Sequence, residues 1–552
     1  MKILWLHQYF ATHRGWGAVR TYEFARRFVR AGHAVDVVCC AGYDDSLRTT
    51  GHGPLTMEGV RVFVNGTAYR PQMGFARRVV SFLRFMAAAL WFVLRHGREY
   101  DTVIASSGPL TLAVPALAGR WLWRVPYVFE VIDVWPDSAI AAGVLKNRVL
   151  AWLSFRLEAL AYRYADAIVT CSTGMTQRVE KKLGVRREDL GRKEEGEGRR
   201  EVVTISNCCD LEMCAPDEAV RRAVRLKYGV REDQTVAIYS GAMGRSNAMA
   251  DVAGAVAATS VDERIVWWFA GDGPERAYCD HGVVAMASVK TGEGRAGAHV
   301  GHAMGDACGK GRTLNAQRST LNAQVGKVAR WRRAFTLIFA TTGWSQKVVA
   351  MASLKTERVR SFGRLAKEEV VALVRAADVN VVTFRHEPLF FENSPNKFFD
   401  GIAAGVPALF NRSTWLEPWL KAYDCGVVCK GERPGEEMAE ALRALAGDPA
   451  RRRRMGLGAR LLAEEVFDRD KLAAAYLAVL LRPLSGRNGE CKNGGGAGGG
   501  ARGACDGGLV RGEPGDGSVL TQRRGDAEAQ GFYPHLCDHW VVAKRGRKRE
   551  QA

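Results

Sequence analysis

Short apolar segments alternate with helical segments along residues 1–185, and the same alternation starts again at residue 202. Strands that are separated by helices pair in parallel, because a parallel connection needs a crossover of a dozen or more residues. We therefore expect two doubly wound α/β domains in tandem, with a ligand cleft at the carboxyl ends of both sheets. The predicted strands are 3–6, 35–40, 60–64, 102–105, 127–130 and 167–171 in the first series, and 202–205, 235–239, 265–270, 379–383 and 406–410 in the second.

Changes in composition predict the domain boundaries. The first domain spans 1–185, a charged loop spans 186–201, and the second domain spans 202–483 and is closed by a helix at 472–481. Residues 280–347 have little periodicity and include the first of two near copies of one nine-residue sequence, at 283–291 and 348–356, which indicates an insertion in the second domain. The last segment, 484–552, contains 17 glycines and is predicted to be a disordered tail.

The composition excludes several classes of protein. With 47% hydrophobic residues in 552, the chain is not disordered throughout, and its longest clean apolar run, 86–94, is half of a spanning helix. The start predicts a strand rather than a signal peptide, so we expect a cytoplasmic protein. None of the 13 cysteines forms a Cys-x-x-Cys pair. We therefore expect reduced thiols and no metal site. No other cofactor is expected.

The basic charge is concentrated in the first half of the chain. Of the net +20, residues 1–185 supply half, with 23 Lys and Arg against 13 Asp and Glu. Within them, 75–95 is an apolar stretch that carries Arg77, Arg78, Arg84 and Arg95. This pattern is typical of a helix in the interface of an anionic membrane, and also of a buried helix of the first domain. We expect the former, as a peripheral contact on the inner face of the membrane, and no nucleic-acid partner.

Glycine loops after strands are the places where a phosphate could approach the backbone. Gly15 and Gly17 follow the first strand and could bind an anion at the start of a helix, although a surface turn has the same pattern. The strand at 235–239 is followed by a turn in which Gly241 and Gly244 frame Arg245, a suitable clamp for a diphosphate. A third turn begins at Gly271.

The segment 392–407 carries the largest set of candidate binding residues. Pro395 is placed to open a helix, Asn396 and Lys397 follow in its first turn, and Asp400 lies further along. We expect Lys397 to meet phosphate and Asp400 to accept hydrogen bonds from ribose hydroxyls. Glu392 lies before the helix. Its carboxylate could either contact the transferred sugar or stabilise the helix by interacting with the positive end of the helix dipole.

Several motifs taken together resemble family 4 of the glycosyltransferases, and most closely a WbuB-like subgroup of bacterial sugar transferases. The matching segments are 2–10, 32–35, 129–137, 206–210, 241–245, 271–275 and 394–400, which follow one another in the same order along the chain. The resemblance implies the GT-B architecture, in which two Rossmann-like domains face each other across a cleft. It also implies retaining sugar transfer from a nucleotide sugar without a metal.

The resemblance also implies roles for individual residues. The phosphate-binding arginine falls on Arg245, the cleft lysine on Lys397 and the ribose-binding acid on Asp400, while Glu392 matches the first acid of the family's Glu-x7-Glu motif. In the first domain, the polar pair of the family falls on Ile132 and Asp133, so one polar group is missing and Asp133 is the catalytic candidate that remains. The family's Gly-Gly loop, which approaches a phosphate or the acceptor, falls on Gly15 and Gly17 with Trp16 between them. The sequence also departs from the family at Asp400, which is one methylene shorter than the commoner Glu, and at Asn247, which stands where the family has a lysine after the glycine turn.

These residues favour a glycosyltransferase that moves a sugar from a nucleoside diphosphate to a lipid-linked or glycan acceptor. Two alternatives share the fold. One is an epimerase acting on a sugar nucleotide, which needs additional acids and histidines in the cleft. The other is a binding protein that has kept the architecture without its chemistry.

Overall fold

The computed structural model of the chain describes residues 1–276 and 358–485, apart from residues 16, 18, 49–52, 68, 70–72, 142, 144 and 185–200. The predicted charged loop, insertion and tail therefore lie almost entirely outside the described residues, as does Trp16. The strands are β1 (Lys2–Leu6), β2 (Ala34–Cys40), β3 (Leu55–Met57), β4 (Val60–Asn65), β5 (Thr102–Ser106), β6 (Tyr127–Val131), β7 (Ala167–Thr170), β8 (Glu201–Thr204), β9 (Thr235–Ser240), β10 (Ile265–Ala270), β11 (Val359–Gly363), β12 (Val379–Val382), β13 (Ala408–Phe410) and β14 (Gly426–Val428).

Helices connect these strands. They are α1 (Arg20–Arg30), α2 (Phe75–His96), α3 (Ala113–Trp123), α4 (Asp137–Ala141), α5 (Arg148–Tyr164), α6 (Thr173–Lys182), α7 (Glu218–Lys227), α8 (Met249–Ala258), α9 (Lys367–Ala376), α10 (Asn396–Ala403), α11 (Glu417–Ala422), α12 (Pro434–Gly447), α13 (Pro449–Glu465) and α14 (Arg469–Ser485).

The strands form two sheets, each with an apolar core on both faces. The first sheet has the order β3-β4-β2-β1-β5-β6-β7-β8 and the second the order β11-β10-β9-β12-β13-β14. All described pairs are parallel except β3 with β4. Central strands such as β1 and β5 are buried on both faces, which explains why they appear in the sequence as continuous apolar runs.

Strand β8 belongs to the first sheet and helix α14 packs on the first domain, which corrects two predictions. We predicted that the strand at 202–205 opens the second domain, but β8 pairs with β7, with Val202 aligned to Ile168. We also predicted that the helix at 472–481 closes the second domain. Instead, the ring of Tyr476 in α14 packs against Trp5 and Phe24 of the first domain, with centroids 5.8 and 5.5 Å apart. Each element packs on an available sheet edge or apolar face of the first domain. Its partner is therefore not the domain that lies nearest along the chain.

Helix α2 is buried on one side in the first domain and exposed on the other. Phe85, Ala89 and Val93 are buried in the core of the first domain. On the other side of the helix, Leu83 and Trp91 are exposed. Within the described residues, the segment Ala76–Glu99 is the one helix that is long and apolar enough to cross a membrane by length and composition.

Candidate active site

Two glycine turns lie against each other at the carboxyl edge of the second sheet, after β9 and β10. The backbone nitrogen of Gly241 donates to the carbonyl oxygen of Ala270 at 2.8 Å, and that of Met243 donates to the carbonyl oxygen of Asp272 at 3.0 Å. A Cβ atom on Gly271 would lie 1.9 Å from the carbonyl oxygen of Gly241, whose φ is +109°. Both positions therefore require glycine, and the two turns form one backbone surface.

Arg245 ends the first turn, and its side chain is exposed. Within the described parts of the chain, its guanidinium forms no hydrogen bond or ion pair. The neighbouring Gly244 has open space beside it, because the nearest atom to an added Cβ would be Nδ2 of Asn247 at 3.9 Å. An exposed guanidinium beside an accessible glycine backbone can bind a diphosphate.

Lys397 approaches the same turn from the first turn of α10. Its Nζ lies 3.6 Å from the centroid of the Tyr239 ring, and a Cβ on Gly241 would be 3.9 Å from this nitrogen. The Nζ atom is buried and has no hydrogen-bond partner in residues 1–276 and 358–485. Burial lowers the pKa of this ammonium group to about 7, because no described carboxylate compensates its charge. An anion bound at the glycine turn would supply the missing counter-charge.

Strand β12 holds helix α10 in this position. The Nδ2 atom of Asn380 donates to the carbonyl oxygen of Lys397 at 2.8 Å. A Cβ on Gly401 would lie 2.1 Å from the same Nδ2, so glycine at 401 permits the close approach of helix and strand. Pro395 is the N-cap, as its sequence position predicts, and Asn396 is exposed at the first helical position.

Asp400 lies in the same helix, but its carboxylate is already bound by side chains of the protein. Its Oδ2 accepts from Nζ of Lys367 at 2.5 Å, and the Sγ of Cys214 is 4.0 Å from Oδ1. Burial lowers the pKa of Lys367, but the opposing charge of Asp400 outweighs this and raises the pKa overall. For Asp400 to bind a ribose hydroxyl, the sugar would have to share this carboxylate with Lys367.

Glu392 connects the two sheets and does not cap α10. It ends a short 3-10 helix, Pro388–Glu392, and its Oε2 accepts from Nε of Arg178 in α6 at 2.9 Å. A second bond joins the other carboxylate oxygen to Nη2 of Arg178. A Cβ on Gly174 would lie 2.6 Å from Cγ of Glu392, so this side chain lies flat against the start of α6. The catalytic role of Glu392 stays a prediction, and its carboxylate is paired in this structure.

Asp133 marks the rim of the first domain, on the loop after β6. The loop is held by Ser107, whose Oγ accepts from the backbone nitrogens of Ile132 and Asp133 at 3.0 and 3.3 Å. The side chain of Asp133 is exposed, yet the surrounding protein raises the pKa of its carboxyl by desolvation. An accessible acid with a raised pKa is suited to proton transfer, and the catalytic role of Asp133 stays a prediction.

A buried arginine ties this rim to the helix that carries Lys397. Nε of Arg20 forms an ion pair with Glu130 at 2.9 Å, and its Nη1 donates to the carbonyl oxygen of Ser206 at 2.6 Å. The next residue, Asn207, donates through Nδ2 to the carbonyl oxygen of Ser394 at 2.6 Å. The segment after β8 therefore fixes the start of α10 against the first domain.

Gly15 and Gly17 are required by packing. A Cβ on Gly15 would lie 2.8 Å from Cβ of Asp44, and one on Gly17 would lie 2.9 Å from Cβ of Tyr43. Asp44 in turn accepts from the backbone nitrogen of Thr12 at 2.8 Å. The loop is therefore folded onto the segment after β2, and its predicted contact with the acceptor or a phosphate stays a prediction.

The described cysteines and acids form no obvious metal centre. Eight cysteines in the described ranges are buried free thiols. Where the structure describes the chain, no group of three or more His, Cys, Asp and Glu side chains could hold a metal ion.

Models of known protein families match both halves of the chain. Residues 17–190 match the glycosyl transferase 4-like domain, and residues 318–477 match a glycosyl transferase-like domain. The chain carries glycosyltransferase domains in both halves. The second match begins inside the segment predicted to be an insertion, in a part of the chain that lies outside the described residues. No curated protein sequence matches the chain significantly.

Solved structures show that these glycosyltransferase domains adopt the GT-B fold. Sucrose-phosphate synthase from Thermosynechococcus elongatus has a TM-score of 0.57 at 13% identity, covering 88% of this chain and 99% of its own. HepE from Anabaena in complex with UDP has a TM-score of 0.54 at 14% identity, with 88% and 100% covered. WaaG, a glycosyltransferase involved in lipopolysaccharide biosynthesis, has a TM-score of 0.50 at 13% identity, with 87% and 99% covered. The predicted fold class is confirmed.

Within the second glycosyltransferase domain, the structure brings together part of the predicted site. The set at the carboxyl edge comprises Gly241, Gly244, Arg245, Gly271 and Lys397. Asp400 and Glu392 instead form ion pairs with Lys367 and Arg178, two basic residues that the sequence analysis missed. The sequence gives no spacing signal for either pair, because Arg178 and Glu392 are 214 positions apart and Lys367 and Asp400 are 33 positions apart.

We expect the Arg178–Glu392 pair to contribute about 1 kcal/mol of coupling to the free energy of unfolding, because both side chains are partly buried and the contact is bidentate. The measurement is a double-mutant cycle in urea with Glu392→Gln, Arg178→Met and the double variant.

The matched control is the Arg433–Glu436 pair, whose side chains are 77% and 56% exposed and should couple more weakly. Equal coupling in both cycles, together with a fall in kcat for Glu392→Gln alone, would contradict a structural role and favour contact with the transferred sugar.

Proposed function

We propose that this protein transfers a sugar, with retention of configuration, from a nucleoside-diphosphate sugar to a lipid-linked or glycan acceptor. The observation that carries the proposal is the buried, unpartnered ammonium group of Lys397 at the glycine turn that ends in Arg245. Two cations at one open backbone turn match the charge of a diphosphate. The similarity to HepE, which has been solved with UDP and with UDP-glucose, supports a nucleotide sugar as donor.

The proposed chemistry follows from the charges that sugar transfer creates. The bond between the anomeric carbon and the diphosphate oxygen breaks, the acceptor oxygen bonds to that carbon, and the acceptor proton is released. Positive charge develops on the sugar ring while negative charge collects on the leaving diphosphate. Arg245 and Lys397 are placed to stabilise the leaving group, and preorganised charges of this kind are usually the largest catalytic contribution. In this proposal no metal or other cofactor takes part.

The proposed setting is the synthesis of cell-surface polysaccharide by a WbuB-like member of the family, acting at the cytoplasmic side of the membrane. The resemblance of the sequence motifs supports this narrower assignment.

The decisive experiment is incubation of the full chain with a panel of labelled nucleotide sugars and candidate lipid-linked acceptors. Release of nucleoside diphosphate together with a glycosylated acceptor is the expected result. Conversion of the sugar nucleotide into an epimer, without release, would indicate an epimerase. Saturable binding without any turnover would indicate a binding protein.

Donor binding should weaken as the pH rises through the pKa of Lys397, which is about 7 in the ligand-free protein. A lysine with a pKa near 7 is mostly protonated at pH 6 and mostly neutral at pH 8, while the diphosphate of a nucleotide sugar keeps its charge. The dissociation constant should therefore rise up to about 10-fold over this interval, as measured by calorimetry.

Lys397→Arg is the matched control, because arginine stays protonated throughout and should give a flat pH profile. A slope that persists unchanged in both Lys397→Arg and Lys397→Met would assign the titration to another group.

A further inference from the structure

Large apolar side chains are exposed mainly on one part of the molecule. Of the 19 large hydrophobic residues that the structure describes as exposed, 13 belong to helices α2, α3 and α5 of the first domain. Scattered single residues of this kind are normal on a protein surface, but a contiguous cluster marks an interaction site. We call the outward sides of these three helices the apolar face.

Helix α5 is the clearest part of this face, because seven of its large hydrophobic residues are exposed. Val149, Trp152 and Leu153 are 65%, 56% and 49% exposed. The opposite side of the helix buries Glu158, which forms an ion pair with Lys182 at 2.7 Å. Burial raises the pKa of the Glu158 carboxyl. A helix that buries an acid and exposes a tryptophan is adapted to an apolar partner outside the protein.

The three helices form one continuous surface. Helix α3 packs against both α2 and α5. The exposed rings of Trp121 in α3 and Tyr164 in α5 meet edge to face, with centroids 5.4 Å apart. Trp91 of α2 is 63% exposed. Tryptophan and tyrosine are enriched where proteins meet the headgroup region of a bilayer.

The charges on the apolar face determine which partner fits it. Helices α2 and α3 contain no acidic residue, and α5 contains Glu158 alone, which is buried. Arginines frame the face: Arg84 and Arg95 are exposed on α2, and Arg148 and Arg156 on α5. The guanidinium of Arg156 lies 5.3 Å from the centroid of the exposed Trp152 ring. A second copy packed symmetrically on this face would bring arginines against arginines without acids to neutralise them.

We propose that the apolar face docks on the surface of an anionic lipid bilayer. Its apolar side chains enter the interface while the surrounding arginines meet lipid phosphates. Helix α2 lies along the bilayer and does not cross it, because Phe85, Ala89 and Val93 remain in the core of the domain. The surface expected from the sequence of α2 alone is thus extended to α3 and α5. This inference does not depend on the proposed sugar transfer.

The first test measures partition of the full chain onto vesicles of phosphatidylcholine mixed with phosphatidylglycerol. The variant Trp152→Gln with Leu153→Gln should lower the partition coefficient by at least about 10-fold, because both side chains lose apolar contact with the interface. The matched control is Leu226→Gln with Leu457→Gln, since these leucines are 83% and 74% exposed in the other domain. All four positions are exposed, so folding should be retained, and circular dichroism checks this.

The second test concerns charge. Arg148→Gln with Arg156→Gln should lower binding to the anionic vesicles by about 10-fold or more. Binding to vesicles of phosphatidylcholine alone should change little. Arg231→Gln with Arg433→Gln is the control, because both arginines are exposed in the second domain.

Three results would overturn the proposal. The first is equal loss of partition in the test and control variants, and the second is no partition of the parent chain. The third is a concentration-dependent dimer that Trp152→Gln with Leu153→Gln dissociates, without vesicle binding by either protein, which would assign the face to self-association.

Discussion

Replacing Arg245 by alanine is expected to lower kcat on the order of 100-fold, as for other preorganised electrostatic groups. The guanidinium is exposed at the glycine turn after β9, where Gly244 leaves space for a ligand. Its loss removes a cation at the moment when the diphosphate takes up negative charge, while most contacts to the ground-state donor remain. The measurement is steady-state release of nucleoside diphosphate, with kcat and donor KM determined separately.

Arg231→Ala is the matched control for this variant. Arg231 is an exposed arginine of the same domain, paired with Asp233, but it precedes β9 and therefore lies at the amino edge of the sheet. It should leave kcat unchanged. Unchanged turnover in both Arg245→Ala and Lys397→Ala would exclude this cleft as the donor site.

Replacing Tyr476 by alanine is expected to lower the free energy of unfolding by about 3–5 kcal/mol, the usual range for deletion of a buried aromatic ring. Tyr476 is fully buried, and its ring packs edge to face on Trp5, Phe24 and Phe28 with centroids 5.5 to 5.8 Å away. Helix α14 comes from the second half of the chain and packs on the first domain. The cavity would therefore open at this junction.

Chemical denaturation monitored by tryptophan fluorescence measures this loss. Tyr476→Phe keeps the ring and should retain most of the stability, and Leu481→Ala, at a position that is 45% exposed, should cost little. A loss for Tyr476→Ala no larger than that for Leu481→Ala would show that α14 is not held by this aromatic cluster.

The sequence predicts the central strands well because burial on both faces leaves a continuous apolar run, as in β1, β5 and β10. Strands β3, β11 and β14 were missed. They have three to five residues, of which none is fully buried, so their sequences carry no such run. The partners of β8 and α14 were assigned wrongly, since sequence proximity does not determine which sheet edge or apolar face accepts an element.

The candidate site also contains residues that the sequence predicts and contacts that it does not. The glycine turn, Arg245 and Lys397 could be found, because local backbone geometry demands glycine and because strand ends share one edge of a parallel sheet. The ion pairs of Asp400 and Glu392 could not, since Lys367 and Arg178 belong to other elements and the separation along the chain gives no periodic signal. Ion-pair partners from distant elements are therefore less predictable than the residues of one glycine turn.

The return of α14 to the first domain has a consequence for synthesis on the ribosome. Arg27 and Asp470, which pair across this junction, are 443 positions apart. At about 5–20 residues per second, roughly 20 to 90 seconds pass between their translation. During that time Trp5, Phe24 and Phe28 lack the helix that covers them, so the nascent first domain presents an apolar surface to chaperones until the last helix emerges.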